Sequence, residues 1–207
     1  MKERPILFSA PMVRALLNGT KTQTRRVVKG APDDWAPMQP QRFAPTVFDR
    51  HGNEDAGPWT FGAGNEDGDC WITCPYGQPG DRIWVREAWA WSGDGAVPAA
   101  DRVRKGEVWF RADTERSSPA IRWRPSIHMP RWASRITLEV TGVRVERLQA
   151  ISEKDAWAEG CEGYDDDMTG GKSGYREYCE LWEQINGPGS WDANPWVWVI
   201  EFKRVTP

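Results

Sequence analysis

Hydrophobic and polar residues along the chain alternate with a period of two more often than they form the 3.6-residue stripe of a helix, so strands dominate the predicted elements. The segment PILFSAPMVRALLNG predicts a short strand, Pro5 to Phe8, feeding a helix. Ser9 or Ala10 sits at the cap, Pro11 fits the first turn, Met12, Ala15 and Leu16 make a one-sided stripe, and Gly19 stops it. Thr20 to Val28 carries threonines and valines at strand positions and predicts a second strand. Residues 30–80 keep no period and are rich in proline, glycine and aspartate. They read as a long loop insertion pinned by aromatics such as Trp35, Trp59 and Phe61, part of it covering a pocket.

After the Gly80-Asp81 turn, GDRIWVREAWAWS sets Ile83 and Val85 against Trp84 and Arg86 and is a strand. A second insertion, residues 92–132, is interrupted by the strand EVWFRAD. Arg135 to Leu148 alternates Ile136, Leu138 and Val140 with Thr137, Glu139 and Thr141, then shifts phase at Gly142, which marks a bulge or bend. Ser152 with Asp155 three places on is a capping-box variant opening a helix over 153–159. Tyr175, Tyr178, Cys179, Trp182 and Ile185 recur at helical spacing before Gly187, and GYDDDMTGGKSG between the helices reads as a mobile polar loop. NPWVWVIEFKRV is apolar on both parities and predicts a buried strand. Few helices and no regular strand-helix alternation exclude a doubly wound sheet; the prediction is a mixed α+β fold, mainly β, a small barrel with helices packed against it. A length of 207 residues fits one domain, 1–207, carrying both insertions.

Composition sharpens this picture in three places. A net charge of -3 excludes an all-over basic surface, leaving local patches: Lys21, Arg25, Arg26 and Lys29 in one, Arg116, Arg122, Arg124, Arg131 and Arg135 in another. Fourteen tryptophans must lie mostly in the core or in pocket walls, which would suit a flat base. No secretory or membrane-spanning pattern is found, so the expectation is a cytoplasmic monomer with reduced thiols. Cys70 and Cys74 could form half a zinc site completed by His51, His128 or Cys161, but paired Cys-x-x-Cys spacing is missing and the expectation is no metal and no cofactor.

LLNGTKTQTRRVVKG, Leu16 to Gly30, concentrates the candidate chemistry. If the strand begins at Thr22, then Thr22, Thr24 and Arg26 share one face and Gln23, Arg25 and Val27 the other, with Lys21 in the turn before them. A hydroxyl, an amine and a guanidinium converging there are the nucleophile, base and anion clamp of acyl transfer. The lysine can act as a base only if burial or a neighbouring cation lowers its pKa by about 3 units. A polar turn leading into an edge strand is the plainer reading of the same residues.

The spacing Gly19-x-Lys21-x-x-Thr24-x-Arg26 after a strand and helix resembles the signature of the ASCH family, a branch of the PUA-like barrels. GDRIWVRE, ISEKDAWAEG and WVWVIEFKRV are similar to that family's following elements in the same order, and the whole looks most like its longer phage and prophage members. The resemblance does not extend over the two insertions. It implies a PUA-like barrel and, from the small members, an amidohydrolase that removes the acetyl group of N4-acetylcytidine or a related modified base. Lys21 and Thr24 match that family's catalytic lysine and threonine, Glu159 its helix glutamate, and Arg26 its arginine, which would clamp the substrate. Ser9, Glu87 and Trp89 are further candidates for the pocket, although Ser9 also suits a helix cap and Glu87 a surface ion pair with Arg86 or another arginine. A non-catalytic PUA-like module or ribonuclease, binding RNA or other single-stranded nucleic acid, is the alternative to a hydrolase acting on a small nucleoside.

Overall fold

The computed structural model describes residues 3–31, 41–43, 46–48, 50–56, 60–65, 68–92, 107–113, 121–166 and 171–205. The chain forms a mixed α+β fold, mainly strands, organised on one five-stranded sheet. Its strands are β1 (Glu3–Leu7), β2 (Gln23–Val27), β8 (Arg82–Arg86), β11 (Thr137–Arg147) and β14 (Trp196–Val205), in the order β1-β8-β11-β14-β2. Only β1 and β8 run parallel; the other three pairings are antiparallel. β1 and β2 form the two edges, and the Arg26 guanidinium crosses between them to donate to the Leu7 carbonyl at 2.8 Å.

Helix α1 (Ala10–Asn18) links the two edge strands. It ends where Gly19 takes a left-handed φ of 80° and its N–H returns to the carbonyls of Ala15 and Leu16. Helix α2 (Glu153–Ala158) opens with the complete capping box: the Ser152 hydroxyl accepts from the Asp155 N–H and the Asp155 carboxylate accepts from the Ser152 N–H. Helix α3 (Gly174–Asn186) buries Tyr178 and Trp182. The phase shift at Gly142 is a register shift between Val140 and Gly142 where β11 pairs with β14.

The both-parity apolar pattern of the last strand has a direct cause. Trp198, Ile200 and Phe202 enter one core with Ile6, Phe8, Val13, Leu16, Leu138 and Val140, while Val197 and Val199 enter a second with Leu148, Ile151, Ala156, Tyr178 and Trp182. The sheet is therefore covered on both faces around β14, by α1 on one side and by α2 and α3 on the other.

Two expectations for the loops are corrected and one strand is found where expected. Residues 41–73 are not an unstructured insertion but carry β3 (Gln41–Phe43), β4 (Thr46–Phe48), β5 (Glu54–Ala56), β6 (Thr60–Asn65) and β7 (Gly68–Thr73), paired as β3-β6-β7 and β4-β5. Glycines such as those of TFGAGN erase the alternation by which a strand is read. Phe61 pins this unit, edge-on to Trp198 at 5.0 Å, whereas Trp35 and Trp59 lie outside the described residues, as does much of the segment expected to cover a pocket. In the second insertion the expected strand is β10 (Val108–Phe110), antiparallel to β9 (Trp89–Trp91). The stretch read as a mobile loop forms a short hairpin, β12 (Tyr164–Asp166) with β13 (Gly171–Ser173). Among the described residues no helix is long and apolar enough to cross a membrane.

Candidate active site

Lys21 owes its place to two contacts of the turn after α1. Its N–H bonds the Ala15 carbonyl, and the next N–H, of Thr22, bonds the Ala158 carbonyl at the end of α2. The second contact brings Glu159, the residue closing α2, against the turn. Gly160, at φ 91°, lets the chain pass so close that a Cβ there would stand 2.8 Å from the Ala15 Cβ and 3.1 Å from the Lys21 Cβ. The Lys21 ammonium, fully buried, donates to the Glu159 carbonyl at 2.7 Å and to its Oε2 at 2.8 Å. Burial pushes its pKa down from the ordinary lysine value, Glu159 pulls it back up, and Arg26 adds to the lowering.

Glu159 has a second cation. Arg25 reaches its Oε1 at 3.3 Å, with Glu146 at 2.5 Å and Asp155 at 3.5 Å. Arg144 in turn bonds Glu146, Asp155 and Glu201, so a continuous ionic network runs from buried Lys21 to the surface. Of Thr22, Thr24 and Arg26, expected to line the working face of β2, Arg26 lines the cavity described below and the two threonines do not. Thr22 is exposed, while Gln23 and Arg25 point to α2: Gln23 donates to the Asp155 carbonyl and Arg25 to the acids. The period of two was read correctly, but the strand is buried on both sides at Gln23, Thr24 and Arg25, and the face under α2 holds Glu159.

A cavity of about 380 Å³ opens beside this cluster, lined by Phe8, Ser9, Met12, Arg25, Arg26, Glu159, Tyr178 and Trp182 among others. Its walls are largely apolar and its charged groups converge on Glu159, the usual make-up of a small-molecule site. The Tyr178 phenol is pushed well above its ordinary pKa by burial and by Glu159, which keeps it a proton donor. Arg26 lies over the Phe8 ring at 5.3 Å. Ser9 occupies the N-cap position of α1, yet its side chain makes no cap bond, so its hydroxyl belongs to the cavity rim. Lys21 and Thr24 are not lining residues. Lys21 is joined to the cavity through Glu159, while Thr24 is wholly buried with a hydroxyl that has no hydrogen-bond partner.

The other two candidates lie elsewhere. Glu87 is buried, not at the surface, and takes a bidentate bond from Arg135 at 2.9 and 3.1 Å; burial raises its pKa against that pairing. Arg135 also holds Asp113 and lies 3.9 Å from the Phe110 ring centroid, a structural cluster outside the cavity. Trp89 packs with Met129 and Ala133. Cys74 and Cys161 are free buried thiols, pushed by burial up to about 11 and about 12, and no three His, Cys, Asp or Glu are grouped as metal ligands among the described residues.

Arg25 and Tyr178 are the site residues that sequence reasoning missed. The signal was present: Asp155 and Glu159, four apart, share a helix face and need a cation, and Arg25 is the buried-parity arginine of β2. No family model, curated protein or solved structure matches the chain.

Proposed function

We propose that the chain is an ASCH-type, PUA-like protein and an amidohydrolase that removes the acyl group from an N4-acylated cytosine nucleoside or related base. The observation that carries the reading is the buried Lys21–Glu159 pair at 2.8 Å, whose Glu159 lines a cavity of about 380 Å³. An amine and a carboxylate in contact, with the lysine pKa lowered, can hold and return one proton, which is what amide cleavage requires. Arg26 bridging the two edge strands supports closure of the sheet toward a barrel.

The geometry favours water as the nucleophile, because Glu159 lines the cavity and Thr24 does not. Water adds its oxygen to the acyl carbon and its proton passes to the Glu159–Lys21 pair. The carbon-nitrogen bond then breaks as that proton is delivered to the cytosine amine, releasing a carboxylic acid and the nucleoside. Arg26 and the protonated Tyr178 supply donors for the oxyanion, whereas the covalent version, attack by Thr24 itself, would require its buried hydroxyl to reach the cavity. Incubation with N4-acetylcytidine, following conversion to cytidine, tests the reading: turnover lost on the order of a hundredfold in folded Lys21→Ala and Glu159→Ala supports it. No conversion by the wild type, or full activity in both variants, refutes it.

A further inference from the structure

Beside the cavity lies a surface that the proposed hydrolysis does not use. The segment 121–136, IRWRPSIHMPRWASRI, contains four arginines and no carboxylate. Its Ser126 lines the cavity, and Trp132, six residues on, lies within ~20 Å of that rim by chain length alone. Trp132 is 63% exposed, an unusual position for the largest apolar side chain. It is nevertheless held rigidly, by Trp89 edge-on at 5.8 Å and Trp91 at 6.0 Å. Around it, Arg86 and Arg131 lie over Trp84 at 4.7 and 5.8 Å, and Arg124 lies over Trp89 at 5.0 Å.

The charge balance of this face is one-sided. Arg86 and exposed Arg122 have no carboxylate partner among the described residues. Of the acids nearby, Glu3 is engaged by Arg131, and Glu87 and Asp113 by Arg135, while Glu107 keeps one carboxylate oxygen buried away from solvent with no partner among the described residues. Since the Arg131–Glu3 pair is largely exposed, a phosphate could replace Glu3 at little cost. Arg86 donates to the Ile127 carbonyl at 3.1 Å and so fixes the segment between the cavity rim and Trp132.

We propose that this face is a track for single-stranded polynucleotide, with a base stacked on Trp132 and phosphates on Arg86, Arg122 and Arg131, leading a neighbouring base toward the cavity. An exposed ring clamped by other rings offers a flat platform, and guanidiniums beside it that hold no carboxylate, or only an exposed one, suit a polyanion; a duplex would hide the faces of its bases. The binding surface stands on its own observations; only the claim that the polymer delivers its base to be hydrolysed rests on the proposed activity.

The test is fluorescence anisotropy with labelled single strands of about 12 nucleotides, as RNA and as DNA, against the matching duplexes. The expected result is tighter binding of single strands than of duplex, weakened about tenfold or more in Trp132→Ala. Arg122→Ala should weaken binding and flatten its salt dependence. Because both side chains are exposed, the variants keep the wild-type melting temperature, and Trp132→Ala deacylates free N4-acetylcytidine at the wild-type rate. RNA bound more tightly than DNA would assign the 2′-hydroxyl a part in the track; equal binding would leave stacking and charge as its basis. Absence of binding by the wild type, duplex bound as tightly as single strands, or unchanged binding in Trp132→Ala overturns the proposal. So does wild-type self-association that Trp132→Ala abolishes, which would make the face a protein contact. Binding without deacylation of any substrate would sink the hydrolase reading and leave the track standing.

Discussion

Replacing Arg25 by methionine keeps the length of the side chain and deletes a fully buried guanidinium that touches three carboxylates. Glu146 and Asp155 are about a fifth to a quarter exposed and both retain Arg144, so water and that second arginine can absorb their loss. Glu159 cannot be rehydrated in this way, being 3% exposed at its side chain, and keeps only Lys21. The cost therefore concentrates on one buried carboxylate and should fall near the lower end of the range for breaking a buried ion pair, about 3 kcal/mol. For a domain of this size that corresponds to a fall in melting temperature of roughly 6–12 °C. Urea unfolding followed by the intrinsic tryptophan fluorescence measures it directly, with the slope against denaturant checked to be unchanged. A double variant with Glu159→Gln removes the stranded charge. It should cost less than the sum of the two single changes by more than about 1 kcal/mol. A loss below about 1 kcal/mol, or strict additivity, would show that Arg25 does not hold Glu159 in solution.

Lys21→Arg can keep a cation against Glu159 but has no proton to release near neutrality, so turnover should drop on the order of a hundredfold in a steady-state assay while the fold persists. Turnover of the wild type should rise with pH as Lys21 deprotonates, with an inflection below the usual lysine value near 10.4. By the same depressed pKa the unfolded chain binds more protons than the folded one between the two values. Stability should therefore climb with pH across that window, and the difference from Lys21→Met in urea midpoints isolates the climb. Gly160→Ala places a methyl 2.8 Å from Ala15 at a φ of 91°, which should cost about 2 kcal/mol in thermal unfolding and lower kcat more than it raises KM, since it pushes on Lys21.

What the sequence made legible were the features written in neighbouring residues. Gly19 ends α1, Gly142 breaks the register of β11, and Ser152 with Asp155 closes the capping box of α2, each a local geometry that a few residues determine. The strands of residues 41–73 were not legible, because glycines and polar residues removed the alternation that marks a half-buried strand. Arg25 escaped for a different reason. Its parity in β2 was readable, but that α2 and α3 cover that face is a tertiary fact with no local trace. Glu159 entered through its likeness to the ASCH helix alone; periodicity would have left it a solvated helix end, and it lies 138 residues from the lysine it contacts.

The place of β14 gives this architecture an order of assembly. Among the described residues β2 joins the sheet only through β14, which is made after the other four strands of this sheet, yet β2 supplies Arg25 and follows directly from Lys21. On a ribosome, a chain extended through α3 already carries Lys21, Arg25, Glu159 and Tyr178 but has nothing to hold β2 in register, so the cavity wall is left open. The ionic cluster becomes a site only when residues 196–205 emerge and zip between β11 and β2. A chain that stops short of residue 196 thus owns the lining of the cavity and none of its geometry, and β14 acts as the latch that closes it.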